Sequence, residues 1–437
     1  MNFDESVNYL LGLGHETLAI KLGLENVSRL LRHLGDPQKN FPSVQIAGTN
    51  GKGSTAAMFE SVGRAAGIRT GLYTSPHLVS ITERVRIAGH DISCEEFARC
   101  AALVRAASEE VERESSALPT FFEQVTAIAL VAFREARVGL AVLETGLGGR
   151  LDATTAARAS VVAITPVALD HQEYLGDTLA EIAAEKAAII RPGVRAVVAP
   201  QEPEAEAVIL ARCRECGVEP ARATRDIRVE EVCEDGRLRV TIRTPRAEYA
   251  GVRLALRGRH QMTNAAVAVA LAEALAGDGF EISRAHVIEG LETAEHAGRL
   301  ELDTRTAPPI LLDGAHNPAG ALALREYLGE FFPRKVTMVF GSMRDKAHAE
   351  IGSILFPAAE RLVLTEPRNP RAASVSELVR AVPAGAPSST IALAPSVRDA
   401  LIIARAQTPP GGVVCVTGSL YLVGEVKAIL ESGDEKS

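Results

Sequence analysis

Gly48-Thr49-Asn50-Gly51-Lys52-Gly53-Ser54-Thr55 is the stretch that decides the reading of this chain. An apolar, strand-like run, Val44 to Ala47, leads into it, and a helix expected over Ser54 to Ala66 leaves it. Glycines let backbone N–H groups approach an anion, and the positive end of the following helix faces that anion. Lys52 can reach terminal phosphates, and Ser54 or Thr55 can ligate Mg²⁺. The loop therefore predicts a nucleoside triphosphate held by Gly48, Thr49, Asn50, Gly51, Lys52, Gly53 and Ser54. Its spelling is unusual: Ile46 stands where the first glycine of the common pattern belongs, and Gly53 separates Lys52 from the hydroxyl.

Outward from the loop, short β-rich runs alternate with longer alanine-rich segments. Strands are expected at Val44 to Ala47, Arg69 to Tyr73, Leu140 to Glu144, Val161 to Thr165 and Ala196 to Ala199. Helices are expected at Cys94 to Glu114, Glu123 to Ala136 and Leu179 to Ile190. Strands separated by helices imply crossovers and a mainly parallel sheet covered on both faces, with ligands at the strands' carboxyl ends. Arg228 to Leu256 reads instead as hairpins around Asp235-Gly236, a small antiparallel edge of the first domain. Strand and helix alternation restarts with Ile310 to Leu312, Val336 to Phe340, Arg361 to Thr365 and Val413 to Thr417. The expected fold is α/β: a P-loop, mainly parallel-sheet ATPase domain over 1–296, then a smaller Rossmann-like α/β domain over 297–437. The polar end, Glu431 to Ser437, is expected to fray.

A chain of 437 residues exceeds one hydrophobic core, so two domains are the default. The net charge of −8 argues against a general nucleic-acid surface and leaves small anionic molecules as the expected partners. Only Cys213 and Cys216 are closely spaced, either as helix-face thiols or as a metal or redox pair. No apolar run approaches the about 18 residues of a membrane span, and the start has no signal-like core. The expectation is a cytoplasmic monomer with no membrane partner.

Further clusters follow strand ends. Thr74-Ser75-Pro76-His77-Leu78 offers a hydroxyl to a Mg²⁺ shell. In Glu144-Thr145-Gly146-Leu147-Gly148-Gly149-Arg150-Leu151-Asp152 a carboxylate ends a buried strand, and the glycines suit a backbone passing close to phosphate or substrate. Asp170-His171 leaves the next strand. A lone histidine is more often a cap, but here it shares a sheet edge with Ser75 and Glu144, which makes it a metal ligand candidate. Lys186 falls four residues after Ile182, beside an apolar helical stripe, where snorkelling is the plain explanation. Asp313-Gly314-Ala315-His316-Asn317-Pro318 can grip a ribose or phosphate, and Arg299 supplies a planar phosphate donor. Closure of the two domains on one nucleotide is expected.

Together these motifs, GTNGKGS, TSPHL, Phe122-Glu123, ETGLGGRLD, Leu169-Asp170-His171, Glu185-Lys186-Ala187, GRHQMTN, Gly298-Arg299-Leu300 and DGAHNP, resemble the folylpolyglutamate synthase/dihydrofolate synthase branch of the Mur ligase superfamily. The resemblance implies ATP-dependent addition of L-glutamate to dihydropteroate and folates through an acyl phosphate. It also implies Mg²⁺, with two ions expected, held by Ser54, Ser75, Glu144, His171 and a carbamylated Lys186. Lys52, Lys186 and His316 are implied as catalytic, and Asn264, Arg299 and Asp313 as further ATP contacts. Thr120, Phe122, Asp152 and Ala153 are implied as the pterin site, and Arg84 and Ser419 as glutamate contacts. Thr155 and Ala188 depart from the family pattern, which has asparagine and glycine there; the first bears on pterin preference. A monofunctional folylpolyglutamate synthase, another Mur-type ligase and a regulatory P-loop ATPase are the alternatives. The last would need no Glu144, His171 and Lys186 together.

Overall fold

The computed structural model describes residues 1–14, 23–333, 336–383 and 390–432. Beyond Ser432 the expected polar tail lies outside the described residues. The chain divides into two compact units, one of 1–230, 239–255 and 262–295, and a second of 231–238, 256–261 and 296–437. The main change of unit thus falls at 295/296, with two short earlier segments grouped with the second unit.

The first unit is built on a sheet of eight strands: β1 (Ser43–Ala47), β2 (Thr70–Tyr73), β3 (Val85–Ile87), β4 (His90–Asp91), β5 (Leu140–Glu144), β6 (Val161–Ile164), β7 (Arg195–Val198) and β8 (Ala221–Arg222). Their order is β4-β3-β2-β5-β1-β6-β7-β8. All neighbours from β2 to β8 pair in parallel, and β3 and β4 add an antiparallel edge. Every residue of β1, β2, β5 and β6 is buried, as their near-continuous apolar runs require when helices cover both faces. One face carries the core of Leu30, Phe97, Val104, Ile128 and Phe133; another core gathers Ile164, Ile182, Ile189, Val198 and Ile209.

Three strands, β9 (Ile227–Val232), β10 (Leu238–Arg243) and β11 (Glu248–Arg253), form their own sheet in the order β11-β10-β9. This corrects the expected edge of the first domain. β10 and β11 pair antiparallel, and Val240, Ile242, Tyr249 and Val252 are buried, so the sheet has its own apolar face to cover.

The second unit holds β12 (Glu301–Asp303), β13 (Ile310–Leu312), β14 (Val336–Phe340), β15 (Arg361–Leu364), β16 (Ile391–Leu393) and β17 (Val413–Thr417) in the order β12-β13-β17-β14-β15-β16. Only β12 runs antiparallel to its neighbour. Leu311, Met338, Phe340, Leu364 and Cys415 pack its core with Leu324, Ile351 and Leu355 from the helices.

Candidate active site

In the first unit the sequence clusters fall on the carboxyl ends of four neighbouring strands, β2, β5, β1 and β6. That edge of a doubly wound sheet is where ligands bind. After β1 the chain turns through Gly48 to Gly51. Thr49 and Asn50 donate their N–H groups to the Pro166 carbonyl at 3.0 and 3.1 Å, and the Thr49 hydroxyl donates to the Ala168 carbonyl and accepts from the Ala168 N–H. The segment after β6 therefore braces the loop. Gly51 has φ +83°, and a Cβ there would lie 2.1 Å from the Asn264 Oδ1, so only glycine admits Asn264 this closely. The helix begins at Lys52, earlier than expected, and runs to Ala65. Lys52 Nζ donates to the Thr49 carbonyl at 3.2 Å. Ser54 is buried, and the fully buried Thr55 hydroxyl has no protein partner.

After β2, the Ser75 N–H donates to Glu144 Oε2 at 3.2 Å, which brings two expected metal ligands from neighbouring strands together. Arg84 is buried, donates from Nε to His77 Nδ1 at 2.8 Å and lies over the Phe121 ring. His171 precedes a one-turn helix in left-handed backbone conformation, its N–H donating to Asp170 Oδ1.

Lys186 does not snorkel. It is 4% exposed, and Nζ donates to the Gly48 carbonyl at 3.0 Å. Burial, and then the neighbouring Lys52 charge, pull its amine down to about 7, against Asp170 and Asp152. Its helix, Leu179–Ala187, starts on a Thr178–Glu181 capping box and ends before the expected Ile190, where Arg150 N–H takes the Glu185 carbonyl.

The glycine turn after β5 has an internal explanation. A Cβ on Gly146 would lie 2.5 Å from Phe122 Cζ, and one on Gly149 would lie 2.9 Å from the Lys186 carbonyl. These close approaches account for both glycines without a ligand. Asp152, expected to accept pterin N–H groups, is engaged within its own turn. Its Oδ2 accepts from Gly146 and Leu147 N–H at 2.8 and 2.9 Å, and its Oδ1 from the N–H and hydroxyl of Thr154. Four donors match the lone pairs of one carboxylate; these contacts hold its pKa down against the burial that nevertheless raises it. Thr120 is the cap of the helix Phe121–Glu135, in a capping box with Glu123. Phe122 is half-buried, its ring 6.0 Å from that of Tyr73, and Ala153 is buried at the start of the turn following Asp152.

The second unit presents its own cluster at the end of β13. Asp313 accepts from Leu300 and Ala315 N–H, both at 3.0 Å; burial raises its carboxyl and Arg299 opposes that rise. His316 donates from Nδ1 to the Gly314 carbonyl at 2.7 Å. Ser419, after β17, accepts the Leu422 N–H and so caps the helix Leu420–Ser432.

Two family models cover most of the chain: the Mur ligase middle domain over residues 46–272, and the glutamate ligase domain of Mur ligases over 298–420. The dihydrofolate synthase/folylpolyglutamate synthase of Bacillus subtilis is 32% identical over 96% of this chain and 97% of its own. The chain belongs to this family of Mur ligases. The structure of Mycobacterium tuberculosis folylpolyglutamate synthase complexed with ADP aligns with a TM-score of 0.90 at 33% identity, covering 98% of each chain. A probable bifunctional folylpolyglutamate synthase/dihydropteroate synthase of Haloferax volcanii is 38% identical over 98% of this chain and 50% of that protein. The chain thus spans about half the length of that relative.

Two polar residues near these clusters were not singled out from the sequence. His260, inside GRHQMTN, is partly buried, its enclosed Nδ1 lacks a protein partner, and desolvation, then the Arg299 charge, pushes the ring down to about 4. Gln45, a polar residue in an otherwise apolar β1, donates from Nε2 to the Thr154 and Thr155 hydroxyls at 2.9 and 2.7 Å. A polar side chain amid a buried run was the available signal for the second; nothing in the spacing marked the partial burial of the first.

Proposed function

We propose that the chain is an ATP-dependent ligase that joins L-glutamate to dihydropteroate and to folate glutamates. A carboxylate oxygen of the acceptor attacks the γ-phosphorus of ATP, and ADP leaves. The glutamate amine then attacks the acyl carbon, loses a proton, and phosphate departs as the amide forms. The observation that carries this reading is the meeting of the phosphate loop, Ser75–Glu144 and a buried Lys186 at neighbouring strand ends. Two anions must approach each other, so positioning and charge neutralisation supply most of the acceleration.

Lys52 neutralises the phosphates, while the loop N–H groups hold the nucleotide. The donors suit Mg²⁺, since Ser54, Ser75 and Glu144 offer hard oxygens and His171 an imidazole nitrogen. Among the described residues no group of three or more His, Cys, Asp or Glu forms a protein-only metal site, in keeping with an ion that also takes phosphate oxygens and water. When bound, Mg²⁺ would lower the repulsion between phosphate and carboxylate. The depressed Lys186 amine is chemically suited to carbamylation, and its carbamate would offer oxygens to a second ion. In the second unit, Arg299, Asp313 and His316 serve the nucleotide and the reaction, with Arg84 and Ser419 assigned to glutamate. Phe122 supplies a flat wall for the pterin, and the dual name of the Bacillus subtilis relative supports both acceptors.

The test is ADP release with ATP and Mg²⁺, together with mass spectrometry of the products. Release that requires both glutamate and a pterin or folate acid, with the acid gaining one glutamyl residue, is expected. ADP release without a ligated product would overturn the reading.

A further inference from the structure

Lys186 is tied to β1 from both ends. Its amine reaches Gly48, the first residue beyond that strand, at 3.0 Å. Its backbone is reached by a second route that also starts on β1. Gln45 Nε2 donates to the Thr155 hydroxyl at 2.7 Å, and that hydroxyl donates to the Gly149 carbonyl at 2.7 Å. The next residue, Arg150, donates its N–H to the Glu185 carbonyl at 3.0 Å. Gly149 itself lies against the turn that carries Lys186: a Cβ there would be 2.9 Å from the Lys186 carbonyl and 3.0 Å from that of Glu185. Gln45, Thr155 and Lys186 are all buried.

The two routes make one closed circuit: Gln45, Thr155, Gly149–Arg150, Glu185–Lys186, Gly48. Thr155 is its midpoint, because its single hydroxyl both accepts from the strand and donates to the turn. A side chain without that hydroxyl would leave the Gly149 carbonyl and one Gln45 donor bond unmet, letting the glycine turn drift from β1 and carry the Lys186 turn with it. Resting on the ligase reading above, we infer that Thr155, held by Gln45, is a positioning residue that fixes Lys186 at the phosphate loop. Thr155 touches no substrate in this assignment and acts only through Lys186.

The two roles separate kinetically. ATP is held in the ground state by the loop N–H groups, whereas Lys186 bears on charge at the transferring phosphoryl group. Misplacing it should lower kcat and leave the KM for ATP alone. Thr155→Val keeps the shape and removes the hydroxyl, and Thr155→Ser keeps the hydroxyl and removes the methyl. Loss of the hydroxyl and its two hydrogen bonds should lower kcat at least about tenfold in Thr155→Val, with KM for ATP within about twofold, an upper bound for an interaction left intact. Thr155→Ser should stay near wild type, and Gln45→Met should show the same split as Thr155→Val. Circular dichroism fixes a temperature at which each variant is folded, and Gln45→Met carries the test if Thr155→Val does not fold. Wild-type kcat in Thr155→Val, equal losses in the Val and Ser variants, or a raised KM at unchanged kcat would overturn the inference. Absence of ligation by the wild-type chain would instead strike the ligase reading.

Discussion

Gly146→Ala tests the pterin wall through the residue opposite it. The added methyl would lie 2.5 Å from Phe122 Cζ and 2.6 Å from Cε2, about 1 Å inside ordinary contact. The same ring also neighbours that of the fully buried Tyr73, with centroids 6.0 Å apart. Phe122 must therefore rotate off the wall. A stacked aromatic contributes about 0.5–1.5 kcal/mol beyond area burial, so kcat/KM for dihydropteroate should fall roughly two- to twelvefold. Folate extension should fall less, because a folate carries one more glutamate between ring and reacting carboxyl and the ring must lie elsewhere. The assay is kcat/KM for dihydropteroate and for tetrahydrofolate, side by side, in Gly146→Ala, Phe122→Ala and the double variant. The double variant should lose little beyond Phe122→Ala alone, since both act on one ring. Equal losses with both acceptors would refute separate placement of the pterin, and an unaffected Gly146→Ala would refute the wall itself. No activity of the wild type with dihydropteroate would leave only the folylpolyglutamate synthase activity.

Lys52→Ala should abolish ligation while the thermal midpoint stays within a degree or two, since a half-buried lysine at the first position of its helix contributes little packing; turnover at the wild-type rate would remove the loop from the mechanism. Lys186→Met should stabilise the fold in bicarbonate-free buffer, as read by urea unfolding across pH. The buried amine is down at about 7 from 10.5, so the unfolded chain binds more protons between those values; the wild-type penalty is full below about 7 and disappears toward 10.5. The gain should be a few kcal/mol at pH 6 to 7 and shrink as pH rises, and a gain that grows with pH would contradict the burial argument. Ser419→Ala removes the cap of the last helix and should cost about 1 kcal/mol in the same unfolding assay. Ser419→Asn should restore that stability, and failure to do so would mean the hydroxyl does more than cap.

What could be read from the sequence followed from period and strand-end chemistry. β5, β13, β14 and β17 have the bounds expected, because unbroken apolar runs flanked by glycine or polar residues leave little choice. The shorter β3, β4, β8 and β12 were not legible: two or three residues do not establish a period, and their pairing depends on neighbours far along the chain. The same limit misplaced the three-stranded sheet, whose alternation reveals a hairpin and not the surface it covers.

Site residues could be gathered at one sheet edge by position alone, yet the reason each is there came only with its contacts. Gly146 and Gly149 look like a phosphate cradle in the sequence and prove to be the clearance for Phe122 and for the Lys186 turn. Asp152 looks like a ligand and is the hub of its own turn. Thr155 looks like a departure from a family pattern, whereas its hydroxyl is the link between Gln45 and Gly149. Gln45 shows where a physical reading could have gone further. A glutamine within a strand buried on both faces is under pressure to find partners, because an unmet buried amide is costly; its Nε2 finds two, while its Oε1 has none. Its alternation places it on the same face as Ser43 and Ala47, opposite Val44 and Ile46, so the partners had to come from a polar segment crossing that face. The stretch Asp152 to Thr155, with hydroxyls at 154 and 155, is such a segment, and it follows the strand that pairs with β1. The brace on Lys186 is therefore a consequence of one polar residue in an apolar strand.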